Sequence, residues 1–205
     1  DRRDGGYVAT ATGRLVAGGF TDLLDILETE RTLRNVVEFL PADELDFDLR
    51  HLADATVVTP SGTRPDAPLQ RLLDLETEGD RIRAFSHAFN ERSLSLAAER
   101  VAEGGLRFEG VFSRGAIDAL TSDDDLRRLL ADLLSADAAA VRVYESAVPL
   151  AGTVVDDEVH LLVRDDDGVL RASIDVADPV VREWAVETFE DYWDAAQPLD
   201  RGELF

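Results

Sequence analysis

Small polar side chains and arginines follow the ends of four predicted strands, which is where open α/β sheets bind their ligands. The residues concerned are Thr59, Ser61, Arg64, Ser86, His87, Asn90, Ser113, Arg114 and Tyr144. Arginine forks onto carboxylates and phosphates, and hydroxyl and amide groups suit polyhydroxylated molecules. The pattern therefore predicts a site for an anionic or polyhydroxylated small molecule. The alternative is that these residues are ordinary loop residues and helix caps.

The histidines give little evidence of catalysis. His87 stands at a predicted strand end, where it would act as a general base, a phosphate ligand or a structural hydrogen bonder. No acidic residue has a spacing that would orient His87, so the structural role is favoured. His51 and His160 carry less signal, because His160 lies in an alternating strand and either faces solvent or packs.

Catalytic and metal-binding motifs are missing from the sequence. It contains no Gly-x-Ser-x-Gly, Gly-x-Gly-x-x-Gly or Walker-type motif, no Cys and only three His. The run Asp165–Gly168 resembles the start of a calcium loop, but its register is wrong and no Glu closes it, so it predicts a hairpin turn. We therefore expect no enzyme activity, no cofactor and no resident metal.

The strongly acidic composition of the chain indicates the salt conditions in which it folds. The 43 acidic residues comprise 27 Asp and 16 Glu, whereas all 21 basic residues are Arg, so the net charge is -22. These features indicate adaptation to a cytoplasm of multimolar salt, where a Debye length of about 3 Å screens self-repulsion. The same charge makes unassisted binding of this segment to a polyanion unfavourable.

Length and hydropathy limit the class of protein. A chain of 205 residues with 45% hydrophobic residues forms one or two folded domains. No apolar run approaches the ~20 residues that span a bilayer, and no signal peptide opens the chain, so we expect a cytoplasmic protein. Asp1–Gly6 followed by Tyr7–Thr10 is typical of the second half of a hairpin, which indicates further sequence upstream.

The first 40 residues predict two helices. Thr12 would cap a helix that Gly18-Gly19 breaks or kinks, and a second helix would run from Glu30 to Phe39, before Pro41. Both carry an apolar stripe that no local core covers. Such a stripe is most commonly buried against a second copy of the chain related by two-fold symmetry. The stripe therefore predicts a homodimer through Leu15, Phe20, Leu23, Leu24, Leu27 and Leu33.

From residue 54 onward, predicted strands and helices alternate. Short strands precede a helix with Pro68 in its first turn and two helices capped by Asn90 and Ser122. A meander of strands over 152–175 precedes a final helix from Pro179. This order predicts an α/β fold with a mixed sheet and flanking helices.

Several stretches resemble a known family. Tyr7–Ala17 is similar to the wing strand and last helix of a winged helix-turn-helix. Val57–Thr59, Phe85-Ser86, Gly105 before Phe112-Ser113, and Asp178–Trp184 leading to Tyr192-Trp193 resemble an effector domain. The chain thus resembles a haloarchaeal winged-helix transcriptional regulator with the effector domain of the methanogenesis regulatory protein family. That domain is related to TrmB-type, phospholipase-D-like sensor domains.

The resemblance implies a domain organisation and a partner. Residues 1–17 would end a winged helix-turn-helix, 18–53 would link and dimerise, 54–197 would form the effector domain, and 198–205 would be a tail. The DNA-reading helix would lie upstream of residue 1, and Arg2, Arg3 and Arg14 would touch DNA phosphates. The effector domain would be non-catalytic, because a chain without Lys lacks the His-x-Lys of phospholipases.

Three hypotheses follow. The first is the ligand-sensing and dimerisation part of an archaeal DNA-binding regulator. The second is a structural dimerisation module that binds no ligand. The third is a hydrolase of phospholipase-D-like fold with a site around His87.

Overall fold

The structure is a computed structural model that describes residues 2–3, 6–7 and 9–204. The predicted features over Asp1–Thr10 and over 198–205 fall partly outside these residues. Strand β1 (Arg2–Arg3) pairs antiparallel with β2 (Gly6–Tyr7), so both strands of a short hairpin lie in this segment, whereas the sequence predicts only the second half of a hairpin here.

An eight-stranded mixed sheet forms the centre of the molecule. Its strands are β3 (Thr56–Val58), β4 (Arg81–Ser86), β5 (Arg107–Ser113), β6 (Ala139–Tyr144), β7 (Ala151–Val155), β8 (Glu158–Arg164), β9 (Leu170–Val176) and β10 (Gln197–Pro198). Their order is β10-β6-β5-β4-β7-β8-β9-β3. Strands β4, β5 and β6 are parallel, and the other pairings are antiparallel. The predicted mixed α/β fold is therefore confirmed.

Helices cover both faces of the sheet. The helices are α2 (Ala67–Glu78), α3 (Glu91–Ala102), α4 (Arg114–Thr121), α5 (Asp124–Leu133) and α6 (Pro179–Ala195). Trp184 and Phe189 of α6 belong to one core cluster, with Phe85 of β4. Leu94 of α3 and Leu130 of α5 belong to the other, with Ile82 of β4. Successive β4 residues thus point into opposite cores, as a pleated strand requires.

Helix caps agree with most of the sequence signals. Asn90 Oδ1 accepts from the Ser93 amide at 3.1 Å, and Asp178 accepts from the first amides of α6. The cap of α5 is Asp123 rather than the predicted Ser122, because its carboxylate accepts from two free amides at the helix N-terminus.

The N-terminal helix is longer and straighter than predicted. Helix α1 (Ala11–Leu33) begins after Thr10, whose hydroxyl accepts from the Gly13 amide at 3.0 Å, rather than after Thr12. Gly18 and Gly19 do not break it, because each costs only about 1 kcal/mol relative to Ala and good helix formers follow. The second predicted helix, Glu30–Phe39, does not form as a separate element: its first four residues belong to α1, and the chain then turns and forms a short 3-10 helix at Val37–Phe39.

Residues on both sides of the predicted effector domain, before 54 and after 197, also pack in its core. Leu33, Val36 and Leu52 are buried in the same cluster as Trp184. The predicted role of Leu33 in dimerisation is therefore corrected, because its side chain is only 1% exposed within this chain. At the other end β10 pairs with β6, and Leu199 is buried beyond it. The boundaries at 54 and 197 stay predictions.

The burial of Leu33 gives a test of this packing. Leu33→Ala should lower the free energy of unfolding by about 2–5 kcal/mol, because it leaves a cavity where α1 meets the core. Val169→Ala is the matched control, since Val169 is 52% exposed and should change stability by less than about 0.5 kcal/mol. Denaturant unfolding in multimolar KCl measures both. Equal stability of the two variants would show that α1 does not dock on the sheet.

Candidate functional site

The parallel strands bring part of the predicted ligand set to one edge of the sheet. Ser86 ends β4, Ser113 ends β5 and Tyr144 ends β6, and the register aligns Ser113 with Tyr144. His87 and Arg114 follow directly. This edge is the carboxyl end of the three strands, where ligands of open α/β sheets bind.

Thr59, Ser61 and Arg64 do not join this group. They follow β3, which is parallel to β4 but is the outermost strand on the far side of the sheet. The two strands are four strand spacings, or about 19 Å, apart. Ser61 and Arg64 instead close a turn, with reciprocal backbone hydrogen bonds of 3.1 Å. The sequence predicts the end of β3 correctly, but not its position in the sheet.

Arg114 and Tyr144 also have other partners. The Arg114 guanidinium donates to Glu145 at 2.6 Å, and this hydrogen bond holds the pKa of the Glu145 carboxyl below its usual value. Tyr144 packs edge-on against Tyr192 of α6, with ring centroids 5.0 Å apart. Arg64 and Arg114, the two arginines predicted to bind an anion, therefore do not converge on a common ligand position.

His87 has the environment of a structural histidine. Its Nδ1 lies 3.1 Å from the carbonyl oxygen of Val148. Burial and the nearby charge of Arg164 lower the pKa of His87, and the hydrogen bond to Val148 only partly opposes them. The ring is therefore neutral near pH 7, and the partner at Nδ1 is a carbonyl rather than a carboxylate that would activate a general base.

His87 and Ser113 line an open cleft of about 850 Å³ at the strand ends. Its other walls come from residues 38–41, 147–150 and the turn after β8. Four carboxylates line this cleft against one guanidinium, that of Arg164: those of Glu38, Asp165, Asp166 and Asp167. This balance disfavours the anionic ligand that the sequence predicts as one option.

Ser86 and Asn90 line a second, smaller space, which we call the α2–α3 cavity. It measures about 180 Å³, similar to an engineered cavity of about 150 Å³ that binds benzene. Helices α2 and α3 form its roof, and β4, β5, β7 and β8 form its floor. The residues lining it are Leu69, Leu72, Glu76, Ala84, Ser86, Ala88, Phe89, Asn90, Ser93, Leu94, Ala97, Phe108, Phe112, Ala151, Thr153, Leu162 and Arg164.

Glu76 is the unexpected residue of the α2–α3 cavity. Its side chain is only 4% exposed, and Oε1 accepts a hydrogen bond of 2.7 Å from the Ser93 hydroxyl. Oε2 is buried and finds no hydrogen-bond partner among the described residues. Burial raises the pKa of Glu76 to about 7, although the bond from Ser93 lowers it in part.

Sequence reasoning missed Glu76, although a signal was present. Leu69, Leu72, Leu73 and Glu76 are spaced three and four apart, so that Glu76 falls on the apolar stripe of α2. A carboxylate on the buried stripe of a helix is rarely left without a partner or a function. In a chain with 43 acidic residues, one misplaced Glu does not stand out by composition.

A buried ionic network lies on the same face of the sheet. His160 Nδ1 is hydrogen-bonded to Asp175, and Arg71 of α2 donates to Asp175 at 2.6 Å and to Glu158 at 3.0 Å. Burial raises the pKa of Asp175, but the bonds from His160 and Arg71 outweigh burial and hold it below its usual value. The network joins α2 to β8 and β9, and His160 is fully packed.

The types Ser173, His160 and Asp175 match those of a hydrolytic triad, but their placement does not. All three are at most 3% exposed. Neither His160 Nε2 nor Ser173 Oγ has a hydrogen-bond partner within the part of the chain that the structure describes. A substrate would have no approach to such a serine, so the arrangement stabilises the sheet rather than forming an active site.

Two negative findings concern the described residues alone. Over residues 2–3, 6–7 and 9–204, no three acidic or histidine side chains gather as metal ligands would. The helices in the same ranges are all too short or too polar to cross a bilayer.

Comparison with known proteins gives one family and two structural neighbours. The family model described as "Methanogenesis regulatory protein FilR1, middle domain" matches residues 65–195. TrmBL2, described as an archaeal chromatin protein with a novel mode of DNA binding, is 14% identical, with a TM-score of 0.56 over 91% of this chain and 68% of that one. No curated protein sequence matches the chain.

The second neighbour is Nuc, a phospholipase D family member from Salmonella typhimurium. It is 13% identical, with a TM-score of 0.55 over 72% of this chain and 99% of that one. Identities this low establish a shared fold alone. The phospholipase-D-like fold expected from the sequence is thereby confirmed.

The raised pKa of Glu76 predicts an unusual pH dependence of stability. A carboxyl with a folded pKa near 7 and an unfolded pKa near 4.5 binds its proton more tightly in the folded state. Its contribution to stability therefore falls as pH rises from about 4.5 to 7, by up to roughly 3 kcal/mol. Glu76→Gln should equal the wild type near pH 5 and exceed it in stability at pH 8.

Glu78→Gln is the matched control, because Glu78 lies on the same helix and is exposed. Chemical unfolding of the three proteins at several pH values, in multimolar KCl, measures the difference. A constant offset between Glu76→Gln and the wild type across pH 5–8 would contradict a buried, proton-binding carboxylate.

Proposed function

This chain belongs to the family of the methanogenesis regulatory protein FilR1, middle domain, and we propose that it is the effector-sensing and dimerisation part of an archaeal DNA-binding transcriptional regulator. In this proposal the sheet is not catalytic, and a small molecule binds at the carboxyl ends of its strands. DNA recognition belongs to a winged helix upstream of α1. The acidic surface suits a salt-rich cytoplasm.

The observation that carries the proposal is the apolar face of α1. This helix of 23 residues is about 35 Å long. Seven of its large apolar side chains are 49–78% exposed: Leu15, Val16, Phe20, Leu23, Leu24, Ile26 and Leu27. A contiguous exposed apolar surface of this kind marks an interaction site.

The spacing of these residues favours a second copy of the same helix. Val16, Phe20, Leu23 and Leu27 are separated by four, three and four residues, which is the repeat of a coiled-coil seam. A two-fold interface places the same surface of both copies in contact. Leu33 is excluded from the seam, because it packs in the core of its own chain.

The position of α1 suits the transmission of a signal. Its C-terminal end is anchored by Leu33 in the core, and the β1–β2 hairpin precedes its N-terminal end. A ligand that favours one arrangement of the two sensor domains would therefore change the spacing of the DNA-binding heads. Such coupling requires different ligand affinities in the two arrangements.

Ligand binding is supported by the cleft and the α2–α3 cavity, which meet at Arg164. Ser86, His87, Asn90 and Ser113 are the residues of the predicted set that line one or the other. The scaffold hypothesis leaves both spaces without a role. The hydrolase hypothesis has no supporting observation at His87.

Dimerisation can be tested at the seam. Leu23→Glu with Leu27→Glu should convert the dimer to a monomer, because four charges would be buried in a symmetric interface. Val180→Glu is the control, since Val180 is 41% exposed and lies on α6 rather than on α1. Light scattering after size-exclusion chromatography in multimolar KCl reports the mass. A wild-type monomer at micromolar concentration would refute the proposal.

DNA contact by the N-terminal arginines can be tested in the intact regulator. Arg14 is exposed and donates to the Ala9 carbonyl, and Arg2 and Arg3 lie in β1. Changing Arg2 and Arg3 to Glu should weaken DNA binding and reduce the slope of log affinity against log salt by about two. Arg128→Glu with Arg201→Glu changes the charge equally, in α5 and near the C-terminus, and serves as the control. An unchanged slope in the first variant would exclude the contact.

A further inference from the structure

The α2–α3 cavity is lined by Glu76, a residue with an unsatisfied carboxylate oxygen in largely apolar surroundings. Oε2 of Glu76 is buried without a partner in the described part of the chain, and most of the other lining side chains are apolar. Leaving a charged group unpaired in such a place is costly. A molecule that donates a hydrogen bond to Oε2 from within the cavity would remove that cost.

The donor that best satisfies a carboxylate is a cation. Hydrogen bonds between ammonium and carboxylate groups are roughly twice as strong as those between neutral groups. The cavity also offers aromatic rings, among them Phe89 and Phe112, which stack with centroids 3.9 Å apart. Aromatic walls suit an apolar body and tolerate a nearby positive charge.

We propose that the α2–α3 cavity binds a small organic amine, with its ammonium group hydrogen-bonded to Oε2 of Glu76 and its apolar body against Phe89, Phe108 and Phe112. The volume of about 180 Å³ limits the ligand to roughly the size of a substituted benzene. The regulatory meaning of this site rests on the sensing role proposed above, whereas the binding chemistry does not.

The charges around Glu76 support an amine over an anion. Arg164 of β8 is the single basic residue among those that line the cavity; its Nη1 donates to the Gly168 carbonyl at 2.9 Å, whereas its Nε is buried without a partner among the described residues. Arg100 of α3 donates to the backbone carbonyls of Glu76 and Gly79, rather than to the carboxylate. His160 of β8 is turned toward Asp175. An anion entering the cavity would meet the Glu76 carboxylate at close range.

Titration calorimetry with the full chain in multimolar KCl at pH 8 tests the proposal. The probe is benzylamine, and benzyl alcohol, benzoate and glycerol serve as neutral, anionic and polyhydroxylated comparisons. Benzylamine should bind about ten- to a hundredfold more tightly than benzyl alcohol, because only the amine gives an ionic hydrogen bond. Benzoate should not bind. Equal binding of the amine and the alcohol would overturn the proposal.

Two further measurements link binding to Glu76. Glu76→Gln should lose the preference for benzylamine, whereas Glu78→Gln on the exposed side of α2 should keep it. In the wild type, affinity for benzylamine should rise by up to about tenfold per pH unit below pH 7 and level off above it, since the amine stays protonated while the carboxyl ionises. This second test needs no variant. A flat profile between pH 6 and 8 would count against the site.

The experiment also separates this site from the proposed function. If benzylamine binds through Glu76 but changes neither dimer mass nor DNA affinity of the intact regulator, the amine site stands and the sensing role fails. If benzylamine does not bind but glycerol or another polyol changes DNA affinity, the amine site is wrong and the sensing role stands.

Discussion

The sheet of this protein is buried on both faces, and that constraint governs the rest of the structure. Polar groups beneath helices have no access to water and need partners within the fold. Asp175 meets this requirement through His160 and Arg71. Glu76 meets it only at one oxygen, so the cavity beside it is one place where the described part of the fold lacks an internal partner.

The fold could be predicted from the sequence because its signals are local. β-branched runs, Asn90, Pro68 and Pro179 mark the starts and ends of elements without reference to the rest of the chain. Strand order is not local, since β3 pairs with β9, more than 100 positions later. This explains why Ser86 and Ser113, at the ends of strands β4 and β5 that follow each other in the chain, lie side by side, whereas Thr59 lies about 19 Å away along the sheet.

Periodicity identified the stripe of α1 but not what covers each part of it. The helix presents Leu27 to solvent and Leu33 to the core, although both belong to the stripe that the sequence predicts for dimerisation. The difference arises where the chain leaves α1 and folds back, so that Val36 and Leu52 enclose Leu33. Sequence spacing cannot separate a surface that binds a second chain from one that binds the same chain.

The α2–α3 cavity and the buried end of α1 lie on different faces of the sheet, and the strands between them connect the two. Neighbouring residues of one strand point to opposite faces. Ser86 and Arg164 line the cavity, while their neighbours Phe85 and Val163 belong to the core that holds Leu33. A close-packed core of this kind transmits small displacements instead of absorbing them. A ligand that shifts β4 or β8 would therefore also shift the core residues against which Leu33 of α1 packs. This coupling requires no change in the order of the strands.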